Sequence, residues 1–216
     1  MSKKQKVLVV GGGFGGVKAA LELCKDDRFN VTLLDDDHEL RYYPTLYRTA
    51  TGGARRNSSI PFDRIFQGRD ITFATGVAKT LDRKAKNVTT EDGKQYPYEI
   101  LILALGVVTN YFGIPGLPEY SYSIKSQDEV ARFKKHLHQQ LIDERKPDLN
   151  YVIVGAGPTG IELAGALPDY IKQVMKKHNL PKHKIHIDLI EAGPRLLPRL
   201  PKHTANRVRR QLRRLG

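Results

Sequence analysis

Apolar and polar positions along the chain repeat one arrangement twice: a short apolar run, a glycine-rich turn, an apolar-spaced helix and a second apolar run. In the first copy these segments are residues 6–10, 11–16, 17–24 and 30–34. In the second copy they are residues 151–154, 155–160, 161–167 and 184–190. Strand, turn, helix and strand in this order predict a parallel βαβ unit. The pattern therefore predicts an α/β fold with two such units, each on a parallel sheet.

The stretch between the two copies has a different pattern. A turn at residues 91–94 follows three short strand candidates, at residues 70–75, 78–82 and 87–90. Together they predict a small antiparallel β insert in the first unit, over about residues 70–97. The next apolar run, residues 98–104, is continuous, which is typical of a buried central strand.

A linker is predicted at residues 110–118, which hold two prolines and two glycines. It divides the chain into a first unit at residues 1–110 and a second, incomplete unit at residues 111–216. After the linker, Ser126 and Glu129 have the spacing of a capping box, which predicts a helix running to about residue 145.

Charge and composition narrow the classes of partner. The 36 Lys and Arg exceed the 23 Asp and Glu, for a net charge of +13. That excess suits a nucleic acid, an anionic membrane surface or simply a solubilising surface. The densest basic run, residues 207–214, has Val208, Leu212 and Leu215 at helical spacing, so it predicts an amphipathic helix with a solvated face. Because no aromatic side chain is interleaved for base stacking, we predict no nucleic-acid partner.

A single cysteine, Cys24, allows no internal disulfide and predicts a reducing, cytoplasmic location. It also excludes a Cys-x-x-Cys redox centre. No segment approaches the roughly 20 apolar residues that span a bilayer, which leaves peripheral attachment at the cytoplasmic face of a membrane open. The seven histidines, among them His136, His138, His183 and His186, show no convincing ligand spacing, so no metal site is predicted.

The first glycine turn fits the binding of a dinucleotide. Gly11, Gly13 and Gly16 satisfy G-x-G-x-x-G, which provides a tight turn, a close approach for a pyrophosphate and close packing of helix on strand. The helix N-terminus adds N–H groups and a partial positive charge. Asp35 ends the following strand, where its carboxylate can accept hydrogen bonds from a ribose hydroxyl.

The second turn repeats this chemistry with Gly155, Gly157 and Gly160, and its acidic partner is Glu191. A carboxylate there pairs with a free 2′-hydroxyl and repels a 2′-phosphate, so NADH is preferred over NADPH. Arg195, close by in sequence, weakens that preference without reversing it. Two dinucleotide sites in one chain suit hydride transfer from NADH to a flavin, which predicts a flavin-dependent NADH oxidoreductase.

A family resemblance extends this interpretation. It is carried by residues 7–16, 43–47, 50–53, 104–106, 109–116, 154–165 and 191–198. In these segments the chain resembles type II NADH dehydrogenase, one of the flavoprotein reductases with two Rossmann-like units. The resemblance implies FAD in the first unit, NADH in the second and a quinone, or a similar small acceptor, reduced at a membrane surface.

The resemblance also assigns cofactor-binding residues, while no catalytic acid or base is identified. For FAD they are Gly11, Gly13, Phe14, Gly15, Gly16, Asp35, Pro44, Gly53, Val77, Ala104, Leu105 and Gly106. For NADH they are Gly155, Gly157, Pro158, Thr159, Gly160, Glu162 and Glu191. Nearby Tyr42, Tyr43 and Tyr47 are expected either to pack near the flavin or to anchor a loop.

Length sets this chain apart from the family, whose members continue well beyond this point. The resemblance therefore implies a need for a C-terminal segment or a companion chain. Two other functions stay open: a soluble NADH:acceptor reductase and a dinucleotide-binding module without turnover.

Overall fold

The computed structural model describes residues 3–143, 150–181 and 184–215. The strands in these ranges are β1 (Gln5–Val10), β2 (Phe29–Asp35), β3 (Glu39–Arg41), β4 (Ser59–Pro61), β5 (Ile71–Thr75), β6 (Ala78–Asp82), β7 (Asn87–Thr90), β8 (Gln95–Pro97), β9 (Ile100–Leu103), β10 (Asn150–Val154) and β11 (His186–Ile190). The α-helices are α1 (Phe14–Leu23), α2 (Leu46–Ala50), α3 (Phe62–Ile65), α4 (Leu117–Tyr120), α5 (Gln127–His138), α6 (Pro158–Lys177) and α7 (Lys202–Leu215). Short 3-10 helices at Tyr43–Thr45 and Arg55–Asn57 and a π-helix at Gln139–Asp143 complete them.

Two compact units divide the chain. The first comprises residues 1–42 and 59–109, and the second comprises residues 43–58 and 110–216. The segment 43–58 lies within the sequence range expected for the FAD-binding unit, but it packs with the second unit. There α2 supplies buried Leu46 and Ala50 to a small apolar cluster with Val130 of α5.

The first unit is built on a parallel sheet in the order β5-β2-β1-β9. Val9 of β1 lies between Leu33 of β2 and Ile102 of β9 in the register. Every buried position of the inner strands β1 and β2 is Val or Leu, as expected for a sheet that is covered on both faces. The predicted parallel βαβ unit is therefore present, with α1 as its helix.

Two predictions about strands in this unit were wrong. The strand at residues 71–75 does not belong to the antiparallel insert: it pairs parallel with β2, because Ile71 and Phe73 pack against the core beneath that sheet. The run after residue 98 is not a central strand either. In the described residues β9 is an edge strand, and Leu103 is 55% exposed.

The antiparallel insert itself is a three-stranded sheet in the order β6-β7-β8. Its Val88 is buried against the face of the main sheet that carries Leu8, Val10 and Leu34. A second antiparallel pair joins β3 to β4 and leads directly into α3, which brings Phe62 into the main core. Phe62 is only 1% exposed and packs against Phe66 and Phe73.

The second unit is built on the parallel pair β10 and β11, with α6 between them along the chain. The helix α6 has 20 residues and is much longer than the predicted segment 161–167. It continues through Pro168 because Leu167, Ile171 and Val174 recur on one buried face. On the other face of the strand pair, Val152, Val154 and Ile190 are each more than half exposed.

The capping box predicted before α5 is confirmed. The Ser126 side chain accepts a hydrogen bond from the backbone N–H of Glu129 at 3.1 Å, and the Glu129 carboxylate accepts one from the Ser126 N–H at 2.9 Å. The helix α5 ends at His138 and a π-helical turn follows to Asp143, whereas the predicted end near residue 145 lies outside the described residues.

The basic amphipathic helix is confirmed as α7. Its Ala205 is buried and Val208 and Leu212 are half-buried, while its arginines are exposed. The third apolar residue of the predicted stripe, Leu215, is exposed as well. Among the described residues, no helix is both long and apolar enough to cross a lipid bilayer.

Candidate functional site

Both glycine turns have the same backbone geometry at the carboxyl end of a strand. Gly11 has φ +106° and Gly155 has φ +105°, which is the region that favours glycine. The N–H of Gly11 donates to the Leu34 carbonyl at 2.8 Å, and that of Gly155 donates to the Ile190 carbonyl at 2.7 Å. Each turn is therefore tied to the last residues of the neighbouring parallel strand.

The third glycine of each motif is required by packing. A Cβ added at Gly16 would overlap the carbonyl oxygen of Gly11, and one at Gly160 would overlap that of Gly155. In both units this contact brings the first turn of the helix against the strand end, as the motif predicts.

The second glycine of each motif has no such constraint. Among the described residues, no protein atom lies within 4 Å of a Cβ added at Gly13 or Gly157. The open side of this backbone leaves room for a ligand group to approach closely. The same glycines precede α1 and α6 without a side-chain cap. The first N–H groups of α1, and those that follow Pro158 in α6, are therefore available to an anion.

In each unit, an acidic side chain at the end of the next strand accepts a hydrogen bond from the backbone of the glycine turn. The Asp35 carboxylate accepts hydrogen bonds from the Gly12 N–H and, at 3.0 Å, from the Asp37 N–H. In the second unit the Glu191 carboxylate accepts from the Ala156 N–H at 2.8 Å and from a further backbone N–H two residues along the chain. Both carboxylates thus bond to the residue between the first two glycines, which places the two predicted acids beside their turns.

The two acids differ in electrostatic environment. Burial raises the pKa of the Asp35 carboxyl, and the hydrogen bonds from Gly12 and Asp37 oppose that shift. For Glu191, the backbone N–H groups of Gly193 and Ala156 lower the pKa of the carboxyl. Glu191 is therefore ionised at neutral pH and suited to accept hydrogen bonds from a ribose hydroxyl.

Of the other predicted FAD residues in the first unit, Ala104 lies against the glycine turn and Val77 lies in the antiparallel insert. A Cβ added at Gly11 would overlap the Ala104 carbonyl, so Ala104 lies directly against the turn. Leu105 is 68% exposed, and Gly106 has φ +74°. Val77 lies at the start of the insert, where its carbonyl accepts a hydrogen bond from Glu91 at 2.9 Å.

Phe14 and Tyr42 form an edge-to-face ring pair in the first unit, with centroids 5.6 Å apart. Tyr43 instead packs with the α2 cluster of the second unit, and the Tyr47 hydroxyl accepts a hydrogen bond from Arg48 at 3.0 Å. The predicted Pro44 and Gly53 belong to that second unit as well. Their roles toward FAD stay predictions.

Glu162 lies in the second turn of α6, near the guanidinium of Arg48. Burial raises the pKa of the Glu162 carboxyl, and the positive charge of Arg48 opposes that shift. The remaining predicted residues of this unit, Pro158 and Thr159, begin the helix. Arg48 could not be identified from the sequence, because its proximity to Glu162 depends on how α2 packs in the second unit.

Gly12 and Phe62 are further site residues that motif reasoning missed. A Cβ added at Gly12 would overlap the Phe62 ring, so the first turn rests on this buried side chain. The motif accepts any residue at position 12, so the presence of a third glycine in the run 11–13 is the sequence signal that could have identified Gly12. No comparable signal marks Phe62.

Arg195 shapes the loop after β11. Its guanidinium donates to the carbonyls of Leu197, Pro198 and Leu200, at 3.2, 2.5 and 2.7 Å. These three bonds occupy the side chain that sequence reasoning expected to weaken discrimination against a 2′-phosphate.

Metal ligation lacks support in the described residues, where no group of three or more His, Cys, Asp or Glu side chains could hold an ion. His183, considered in the sequence, lies outside these residues. His186 lies 3.3 Å from Asp188 on β11.

Comparison with known proteins agrees with these features. Residues 5–216 match the family described as pyridine nucleotide-disulphide oxidoreductase. A type II NADH:quinone oxidoreductase of Staphylococcus haemolyticus is 28% identical in an alignment of 214 positions that covers 94% of this chain and 53% of that protein. A homologue of the same name from Staphylococcus epidermidis is 29% identical over 90% of this chain and 51% of its own length. The chain thus spans about half the length of these relatives.

Solved structures share the fold. NDH2 from Plasmodium falciparum in complex with NADH has a TM-score of 0.83 and 24% identity, covering 99% of this chain and 47% of that chain. The sulfide:quinone oxidoreductase of Aquifex aeolicus has a TM-score of 0.73 and 21% identity, covering 98% and 49% of the two chains. The resemblance to type II NADH dehydrogenases seen in the sequence is confirmed.

Proposed function

We propose that this chain, which belongs to the pyridine nucleotide-disulphide oxidoreductase family, binds FAD on its first unit and NADH on its second unit. The proposed reaction transfers a hydride from NADH to FAD, and the electrons then pass to a quinone or a similar small acceptor. The observation that carries the proposal is the repetition of one turn geometry in two units, each with an acid bonded to the turn.

The first unit suits FAD because its turn combines an open backbone at Gly13 with a half-buried acid at Asp35. The N-terminus of α1 offers backbone N–H groups to a pyrophosphate, and Asp35 offers a carboxylate to a ribose. When bound, FAD would supply the redox chemistry; the protein groups bind it and orient it.

The second unit suits NADH by the same argument. Gly157 leaves its backbone open, and the ionised Glu191 favours a free 2′-hydroxyl over a 2′-phosphate. Glu162, at the start of α6, is proposed to face the nicotinamide region.

A quinone acceptor is proposed from the relatives named NADH:quinone oxidoreductase. Quinones that partition into lipid would be reached by a chain attached peripherally to the cytoplasmic face of a membrane, so we include that attachment in the proposal. Because the chain spans about half of those relatives, a further segment or companion chain is proposed to complete the acceptor site.

Anaerobic spectroscopy of the 216-residue chain tests the proposal. The purified protein is mixed with FAD, freed of excess cofactor, and its visible spectrum is recorded before and after adding NADH. We expect a protein-bound flavin band that NADH bleaches and that a soluble quinone restores. ADP-ribose, which carries no hydride, serves as the control and is expected to leave the band unchanged.

Two results would contradict the proposal. If the chain retains no FAD, the proposed FAD site on the first unit is refuted. A retained flavin that saturating NADH does not bleach would refute electron transfer and favour a dinucleotide-binding module without turnover. The exposed face of the β10–β11 pair, with Val152 and Ile190, is the observation that keeps this second function under consideration.

A further inference from the structure

A cleft of about 250 Å³ opens beside Glu191 in the second unit. It lies between the loop after β11 and α7, which contributes Asn206 and Arg209 to its wall. The loop side contributes Gly193 and Arg195. The acid expected to contact the adenosine ribose therefore shares one cleft with groups from a helix that the dinucleotide motif does not include.

Only one of the two arginines lining this cleft is available to a ligand. The guanidinium of Arg195 is occupied by three carbonyls of its own loop. Arg209 is exposed, and its guanidinium donates a long hydrogen bond of 3.4 Å to the Asn206 side-chain oxygen, one turn earlier on α7. A weak bond of this length leaves the guanidinium able to turn toward an anion.

Other cations of α7 do not share this position. Arg207, Arg210, Arg213 and Arg214 are exposed on the same helix, but they do not line the cleft. Position, rather than the total charge of α7, therefore distinguishes Arg209.

We propose that Arg209, supported by Asn206, is a phosphate-recognition site at the 2′ position of the adenosine ribose, so that the second unit accepts NADPH as well as NADH. This rests on the proposed binding of a nicotinamide dinucleotide beside Glu191. Glu191 favours a 2′-hydroxyl, whereas a guanidinium forms paired, charge-assisted hydrogen bonds with a phosphate. Arg209 thus offsets the repulsion that Glu191 exerts on a 2′-phosphate.

Calorimetric binding of two nucleotides to the full 216-residue chain tests the site. The titrants are adenosine 5′-diphosphate and adenosine 2′,5′-bisphosphate, at one fixed ionic strength. We expect Arg209→Gln to weaken the 2′,5′-bisphosphate by about tenfold, the loss of a charge-assisted bond, and to change the 5′-diphosphate by less than about twofold. The matched control Arg210→Gln removes the same charge from the same helix and is expected to change neither.

The remaining outcomes separate the two proposals. If Arg209→Gln and Arg210→Gln weaken the binding of the 2′,5′-bisphosphate equally, the effect is one of long-range charge, and the proposed site at Arg209 is refuted. Wild-type binding of the 5′-diphosphate without the 2′,5′-bisphosphate would also overturn it, but would leave NADH binding intact. If the folded wild-type chain binds neither nucleotide, the nicotinamide site itself fails, and the Arg209 site fails with it.

Discussion

Replacing Gly16 by alanine is expected to unfold the first unit or to destabilise it by about 3 kcal/mol, the upper end of the usual cost of overpacking. The new Cβ would overlap the carbonyl oxygen of Gly11, which is backbone and cannot turn away as a flexible side chain would. A typical domain is stable by only about 5–15 kcal/mol, so the loss is a large share. Urea denaturation followed by circular dichroism measures it.

Gly13→Ala is the matched control for this variant. Gly13 has φ −72° and ψ −175°, which alanine adopts freely, and an added Cβ meets no described atom within 4 Å. The weaker N-cap and the stiffer unfolded chain have opposite effects, so we expect a change of less than about 1 kcal/mol. Equal destabilisation by the two substitutions would contradict the packing role assigned to Gly16.

Phe62→Ala is expected to lower the free energy of unfolding by about 3–5 kcal/mol, the range for removing a buried phenyl ring. Phe62 is 1% exposed, and its ring centroid lies 4.9 Å from that of Phe73 and 5.6 Å from that of Phe66. Because the turn at Gly12 rests on this ring, the cavity also removes support from the backbone that Asp35 holds. We therefore expect weaker FAD binding even where the variant folds.

Phe14→Ala provides the comparison for stability. Phe14 is 47% exposed, and its ring contact in the first unit is the edge-to-face pair with Tyr42. Its removal is expected to cost about 1 kcal/mol or less. A smaller loss of stability for Phe62→Ala than for Phe14→Ala would refute the central position of Phe62 in the core.

Features set by neighbouring residues could be predicted from the sequence. The turns at Gly11 and Gly155 depend on glycine conformation and on the strand and helix beside them, so a short motif locates both. The capping box of Ser126 and Glu129 spans a single helical turn and was equally accessible. The acids Asp35 and Glu191 follow because parallel strands end at the same edge of a sheet.

Features set by distant residues could not be predicted. Short apolar strands do not encode their neighbours, so the pairing of β5 with β2 and the edge position of β9 depend on the assembled sheet. Residues 43–58 precede most of the first unit in sequence, yet they pack in the second unit. The sequence predicts Arg209 only as part of a solvated basic face, because its place in the Glu191 cleft depends on the packing of α7.

Separate dissociation constants for FAD and ADP-ribose, measured on the wild-type chain, Gly13→Ala and Gly157→Ala, test the central claim of one dinucleotide site per unit. The two glycines have matching backbone angles and the same open surroundings. We expect Gly13→Ala to weaken FAD binding by about 100-fold and to leave ADP-ribose binding unchanged, because the methyl group occupies the approach of one pyrophosphate only. Gly157→Ala is predicted to do the reverse. If each substitution weakens the binding of both ligands equally, or changes neither, the chain does not hold one dinucleotide site in each unit.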